Sequence, residues 1–283
     1  MFRKILYPFI AILQFIQNYF KSMIFILLLF LIFGTPEEIK EPNLAKIYLS
    51  GEIQNSLEIL EEIRALKNDN IKGVLLIIDS PGGSVSHSFE IGLAIKELNE
   101  QKPVISYAIG TLASGSYFAS LYSKKILANA GSMIGSIGVI LQAPNVRGLL
   151  DRAGVDWRVV KSGEYKEAGT IFRDWSDSET RELQKTTDKI YDFFKTEVAT
   201  QRGIDLNSSK NFAEGRIFIA KEAKELGLID DISTLFKAED MLISEAGVIN
   251  PIWKEPSEMD KFIDKFANES AKFALELFKL RIE

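Results

Sequence analysis

Apolar positions follow three rhythms along this chain, and each predicts a different kind of element. The first is a nearly continuous run at the N-terminus: Ile5 to Phe20 is interrupted only by Pro8, Gln14, Gln17 and Asn18, and Ser22 to Phe33 carries no charge. The uncharged run alone is shorter than the roughly 20 residues a spanning helix needs, so the span reaches back past Lys21 and starts near Phe15 or Ile16. The long Lys21 side chain can snorkel to the interface. Arg3, Lys4 and Lys21 precede the apolar core and Thr35-Pro36-Glu37-Glu38 follow it. That bias puts the N-terminus in the cytoplasm and the rest of the chain on the periplasmic or extracytoplasmic side of the cytoplasmic membrane. No small-x-small cleavage site follows Phe33, so the segment reads as an uncleaved signal anchor; the alternative is a buried helix of a globular domain.

The second rhythm is the short unbroken strand, and the third is helical spacing. Lys46–Ser50, Gly73–Asp79 (GVLLIID), Val104–Ile109 and Lys125–Ala128 read as strands, the second buried on both faces. Between them, Ser56–Leu66 places Leu57, Leu60, Ile63 and Leu66 on one helix face, and Ser86–Leu98 and Ser116–Leu121 also read as helices. This alternation predicts an α/β domain with largely parallel pairing. Further on, Ser176 with Glu179 forms a capping box that opens a helix to about Arg202, with Leu183, Ile190, Phe194 and Val198 on one face. Met259, Phe262, Phe266, Phe273, Leu277 and Leu280 make a last amphipathic helix, suited to packing on the body or a neighbour, or to a membrane surface. The expected organisation is a tail and anchor over 1–34, a Pro-rich linker over 35–43, a globular domain over 44–240 and a C-terminal extension over 241–283. No internal repeat or low-complexity tract is present.

Composition narrows the function classes. With 283 residues, 46% of them hydrophobic and 26% charged, the chain can bury one large core or two modest ones. A net charge of -5, with lysines interleaved among acids, gives no field for nucleic acid. The absence of cysteine removes disulfides, thiolate nucleophiles and thiolate metal sites. One histidine makes a histidine metal site not credible, and no EF-hand spacing occurs; carboxylate-only magnesium or calcium sites stay open.

The candidate chemistry sits in two small-residue loops. Ser114 lies in Thr-Leu-Ala-Ser-Gly-Ser-Tyr-Phe (111–118), a corner between a strand and a short helix that can lift a hydroxyl out of a sheet edge. A serine hydroxyl is a weak nucleophile without a base, and with a single histidine in the chain a lysine must be considered. Asp79-Ser80-Pro81-Gly82-Gly83-Ser84 follows a strand and precedes a helix, so its amides can point into a cleft. The loop matches neither GxGxxG nor GxxxxGK[ST], which leaves the nucleotide reading weak. It can hold an oxyanion, Gly83 supplying one amide and Gly115 another, or it is simply a tight turn.

Five blocks occur in order behind the anchor: DSPGGS (79–84), ASGSYF (113–118), GSIGV (135–139), KSGEYKEAG (161–169) and AEGRIFIAKEAKELGLID (213–230). Together they resemble the signal peptide peptidase A family of membrane-anchored serine proteases, over nearly everything after the linker. The resemblance implies a crotonase/Clp-protease-like fold with repeated ββα units, preceded by a transmembrane helix. It implies Ser114 as nucleophile, Lys166 as general base and Ser136 as the hydroxyl that orients the lysine amine, with a spacing similar to that of the short bacterial members. It further implies an endopeptidase for cleaved signal peptides and other apolar peptides, without metal or cofactor. The implied assembly is a homo-oligomeric ring whose sites take serine and lysine from adjacent protomers.

A lysine with pKa near 10.4 leaves only about one amine in a thousand free at neutral pH, so desolvation must lower it. Glu164 and Glu167 would oppose that shift if they pointed inward, and they are expected to face solvent or interface partners. Lys161 is the rival base, but it ends the strand-like run Trp157–Val160. His87, in the first turn of a helix beside the glycine loop, is read as a cleft-rim or solvated residue. Asp79 is read as a loop anchor, Arg216 as a structural ion pair, and Tyr117, Phe118 and Tyr165 as packing residues. Two other functions remain open: a non-proteolytic crotonase-like protein holding an acyl-thioester enolate, and a catalytically silent membrane scaffold. The first leaves Ser114, Ser136 and Lys166 without a joint role.

Overall fold

The computed structural model describes residues 2–33, 41–67 and 70–254, with side chains of the first stretch described over 14–29. The chain divides into two compact units, Met1–Glu41 and Pro42–Glu283. The first contains one helix, α1 (Phe2–Phe33), which begins well before the start near Phe15 expected from the apolar run. Over the described residues no helix is long and apolar enough to cross a membrane. Residues 35–40 of the expected linker and the whole of the expected helix Met259–Ile282 lie outside the described residues.

The second unit is built on β1 (Leu44–Ser50), α2 (Leu57–Lys67), β2 (Gly73–Ser80), α3 (Val85–Asn99), β3 (Val104–Ala113), α4 (Gly115–Ser120), β4 (Lys125–Ala128) and β5 (Met133–Gly135). Then come α5 (Arg147–Ala153), α6 (Asp177–Arg202), a single 3-10 turn at Leu206–Ser208, α7 (Ser209–Phe212), β6 (Ile217–Ile219), α8 (Ala220–Glu225), β7 (Asp231–Ile232) and α9 (Leu235–Glu245). Strands and helices alternate singly from β1 to β4, and among the described residues two strands follow one another without a helix between them only at β4–β5. The sheet order β1-β2-β3-β4-β7 is parallel throughout.

Side-chain alternation explains the burial of the central strands on both faces. Val74, Leu76 and Ile78 of β2 face a layer formed by α2, α3, α4 and the end of α6, while Leu75 and Ile77 join Leu44, Ile105, Tyr107 and Leu127 beneath Ala238 and Leu242 of α9. The expected break after residue 240 therefore falls inside a helix that covers one face of the sheet. The chain returns beyond it to Leu44: Ile252 O accepts from the Asn43 amide at 2.8 Å, and Lys254 N donates to Leu44 O at 2.7 Å.

β3 is longer than the apolar run Val104–Ile109 suggests, because it pairs twice on one side. Ile105–Ala108 pair with β4, and Thr111–Ala113 continue onto β5, which pairs antiparallel with β6. Opposite them the β2–β3 register shifts between Ile78 and Ser80. Asp79 anchors this irregularity by accepting from the Thr111 amide at 2.8 Å.

After β5 the chain leaves the core. No residue from 138 to 178 is buried, α5 included, and the expected strand at Trp157–Val160 pairs with nothing among the described residues. Its apolar residues have no sheet to enter, and Trp157 stacks on Phe172 instead, with ring centroids 3.9 Å apart. α6 then opens on the anticipated capping box: Glu179 N donates to Ser176 Oγ at 3.2 Å, and Ser176 N donates to Glu179 Oε2 at 2.9 Å. Leu183 and Ile190 are only half-buried, so the helix enters the core at Phe194, Val198 and Ala199. Ser176→Ala removes one side of the box and is expected to lower stability by about 1 kcal/mol. That loss should be read as a lower urea midpoint at unchanged slope.

Candidate active site

The end of β3 is where backbone strain concentrates. Ser114 follows the last strand residue with φ 52 and ψ -122 and caps α4, and its amide is fixed by Gly135 O at 2.7 Å. The three non-glycine residues with positive φ among those described are Ser114, Ser136 (φ 49) and Glu214 (φ 61). All three line one cleft of about 950 Å³. Sparsely populated backbone conformations of this kind cost free energy and persist where the surroundings over-determine them.

Those surroundings can be named. The Ser116 hydroxyl, fully buried, accepts from Ala113 N at 2.9 Å and donates to Ser80 O at 2.7 Å, tying the serine turn to the glycine loop. The Tyr117 hydroxyl donates to Leu228 O at 2.7 Å, and burial pushes its phenol well above the usual range. Phe118 stacks on Phe89 with centroids 4.1 Å apart. Tyr117 and Phe118 are thus packing residues beneath the cleft, while Tyr165 is exposed on the arm that follows β5.

Two glycines are required by close approach. A Cβ on Gly82 would lie 2.5 Å from Gly115 N and 2.9 Å from Ser114 Cβ, and one on Gly115 would lie 2.1 Å from Ser88 Oγ. The same position on Gly115 is 3.4 Å from Gly83 N, so the glycine loop lies against the turn that carries Ser114. Among the described residues neither amide is taken up by an acceptor. Ser136 faces the same cleft after β5, its amide donating to Arg216 O at 2.7 Å.

The structure therefore brings Ser114, Gly83, Gly115 and Ser136 together. It does not bring Lys166 to them within one chain. Lys166 sits on the arm, exposed and outside the residues that line the cleft, in a turn closed by its own amide to Gly163 O at 3.3 Å. Among the described residues no hydrogen bond or ion pair engages its amine. The rival Lys161 is engaged, donating to Glu164 O at 3.2 Å and lying 3.7 Å from both Glu167 and Glu179. Glu167 departs from the expectation that it faces solvent or a partner: Arg173 turns it back into an ion cluster at 2.8 Å.

His87 lies 3.0 Å from the buried Ser56 hydroxyl through Nδ1 and does not line the cleft. Arg216 is an ion-pair residue, 3.8 Å from Glu222 with its guanidinium over Phe218. Among the described residues no cluster of histidine and carboxylates suits a metal ion.

Part of the cleft wall escaped the sequence reading. Gln184, Thr187, Asp188 and Tyr191 project from α6 opposite the serine, and the Tyr191 hydroxyl donates to Glu214 Oε1 at 2.9 Å. Glu52, Asp188 and Glu214 make this lining acidic, and among the described residues that line it there is no lysine or arginine. The i, i+3, i+4, i+7 spacing of the four α6 residues was the available signal, but polar residues on a helix face usually indicate solvent.

Comparison with known proteins places the chain. Residues 96–248, over half of the sequence, match the family described as Peptidase family S49, and residues 42–142 match that described as Clp protease. The chain is 33% identical over 227 residues to a chain of Methanocaldococcus jannaschii named as a protease, covering 74% of this chain and 72% of that one. A Synechocystis chain, also named as a protease, is 35% identical over 208 residues, covering 73% and 75%. An Enterococcus faecium chain bearing the name signal peptide peptidase SppA is 34% identical over 227 residues, covering 80% and 63%. With a Clp-protease-like α/β domain carrying a strained serine at the end of its longest strand, the chain belongs to peptidase family S49, the signal peptide peptidase A family, and is a protease.

Proposed function

We propose that the protein is a membrane-anchored serine endopeptidase in which Ser114 attacks the peptide carbonyl and Lys166 is the general base. The observation that carries this reading is the strained Ser114 beside two unclaimed amides in a cleft that also holds Ser136. The Ser114 hydroxyl gives its proton to the neutral Lys166 amine as its oxygen bonds to the scissile carbon. The carbonyl oxygen becomes an oxyanion that accepts from the Gly83 and Gly115 amides. Lys166 passes the proton to the leaving amine, and water, deprotonated by the same lysine, releases the acyl group and restores Ser114. Ser136 orients the lysine amine.

Lys166 belongs to a neighbouring protomer in this reading. Its exposure in the single chain, on an arm that also exposes Leu149, Val155, Trp157 and Val160, favours a site completed by assembly into a ring. Covering the arm would bury those side chains and strip water from the amine, which lowers its pKa in the direction catalysis needs. The substrates are cleaved signal peptides and other apolar peptides bound as extended strands. The N-terminal apolar segment ties the cleft to the outer face of the cytoplasmic membrane, with the N-terminus in the cytoplasm.

A fluorophosphonate probe is expected to label Ser114 covalently, in an amount that falls to background in Ser114→Ala. Absence of labelling at Ser114 in protein that cleaves peptides would remove the assignment. Labelling also separates the peptidase from an acyl-thioester-binding relative and from a silent scaffold, neither of which holds an activated serine.

A further inference from the structure

The turn that carries Lys166 is tied down at its C-terminal end and held by charge around the lysine itself. From Lys161 to Arg173 it forms neither helix nor strand. Val146 N donates to Ile171 O at 2.8 Å and Trp175 Nε1 to Thr170 O at 2.7 Å, whereas from Lys161 to Ala168 the backbone bonds are local closures such as Ala168 N to Tyr165 O at 3.1 Å. Its two ends meet at Glu179, the third residue of α6, whose side chain is 4% exposed. Arg173 donates to both Glu179 oxygens, at 2.7 and 2.8 Å, and through Nε and NH2 to Glu167 Oε2 at 3.2 and 2.8 Å. Lys161 completes a cluster of two cations and two carboxylates that brackets Lys166 from both sides.

We propose that Arg173 and Glu179 are positioning residues for Lys166: they fix the turn that carries it and draw the adjacent Glu167 carboxylate away from its amine. The proposal rests on the reading of Lys166 as the base. Bidentate arginine–carboxylate pairs are directional, so the fork sets the path of the turn as well as its charge. The fork also holds the Glu179 carboxyl well below the usual carboxylate range, so this arm of the pair stays ionised through neutral pH. Without Arg173, Glu167 would keep only the longer Lys161 contact at 3.7 Å and carry a largely uncompensated negative charge one residue from the base. That charge favours the ammonium form, opposite to what a general base requires. The other charges around the turn are Lys161 and Glu164, with Arg181 and Glu182 of α6 reaching the neighbouring Tyr165.

The test uses the full-length assembled protein with Arg173→Gln, Arg173→Lys, Glu167→Gln and the double variant Arg173→Gln/Glu167→Gln. Two readouts are taken: the pH profile of kcat/KM on a peptide, and the pH dependence of Lys166 acetylation by acetic anhydride, followed by mass spectrometry. In Arg173→Gln the acid limb is expected to move up by about one pH unit, a roughly tenfold loss below it, with the acetylation midpoint moving equally. Arg173→Lys should shift it less, and the double variant should return both midpoints toward wild type. A loss of activity with both midpoints unmoved, or a shift that Glu167→Gln does not reverse, overturns the proposal. If Arg173→Gln fails to fold, Arg173→Lys, which keeps a cation but loses the two-pronged fork, must raise both midpoints, and midpoints that stay at the wild-type values overturn the proposal. Full activity in Lys166→Ala would defeat the reading of the base, whereas acetylation of Lys166 still reports on the positioning.

Discussion

Ser114→Ala and Lys166→Ala are each expected to lower kcat/KM on the order of 10⁴-fold or more while leaving the folded state intact, since each removes one partner of a single proton-transfer unit. The same two variants are expected to complement one another. If serine and lysine of a site come from different protomers, a random one-to-one assembly contains intact sites at about a quarter of positions, so about a quarter of wild-type activity should return on mixing. Each variant alone stays inactive. No recovery in rings verified to be mixed would show that the pair is formed within one chain, and the exposure of Lys166 would then need closure of the arm onto its own cleft. Stability should be unchanged in both variants, because Lys166 is exposed and Ser114 loses only a hydroxyl at the cleft surface.

Phe118→Ala is expected to cost about 3–5 kcal/mol of folding stability. The ring is 1% exposed and sits among Phe89, Tyr122, Phe193 and Phe194, with centroids 4.1 to 6.1 Å away, so its removal leaves a cavity that this aromatic cluster cannot readily close. The loss should be visible as a lower denaturation midpoint with unchanged slope. A change below about 1 kcal/mol would mean that the cluster repacks freely. Because Phe118 N donates to Ser114 O at 3.0 Å, the variant also tests whether the serine turn keeps its strain when the helix beneath it loosens. Labelling of folded Phe118→Ala by the fluorophosphonate probe should therefore be slower than wild type.

The parallel core was legible because GVLLIID and its neighbours carry their own burial signal, and the Ser176–Glu179 box marked the start of α6 without tertiary help. Sequence also singled out Ser114, Gly83 and Gly115 through small residues at turns, and Ser136 through the family resemblance alone, and these share one location in the fold. The extension of β3 to Ala113 was not legible. Gly110 and Thr111 break the apolar run, and it is pairing with Met133 and Ile134 on one side and Ser80 on the other that makes strand residues of the segment. The arm misled for the opposite reason. Trp157–Val160 has the composition of a strand, yet β-propensity describes fit to a half-buried surface, and this chain alone offers none. The part played by Glu167 depended on Arg173, six positions away in an irregular segment, a pairing that no periodicity announces.

The rung Ala113–Gly135 between β3 and β5 has a consequence for how such a chain can diverge. Ser114 and Ser136 each stand one step beyond it, so a one-residue slip of the β3–β5 register would turn one hydroxyl to the opposite side of its strand. The stretch from 139 to 160 has no such ladder. Changes in length that slip this register should be purged, whereas those before the turn that carries Lys166 should be tolerated, which lets descendants of this fold reshape how they meet one another while the nucleophile stays in register.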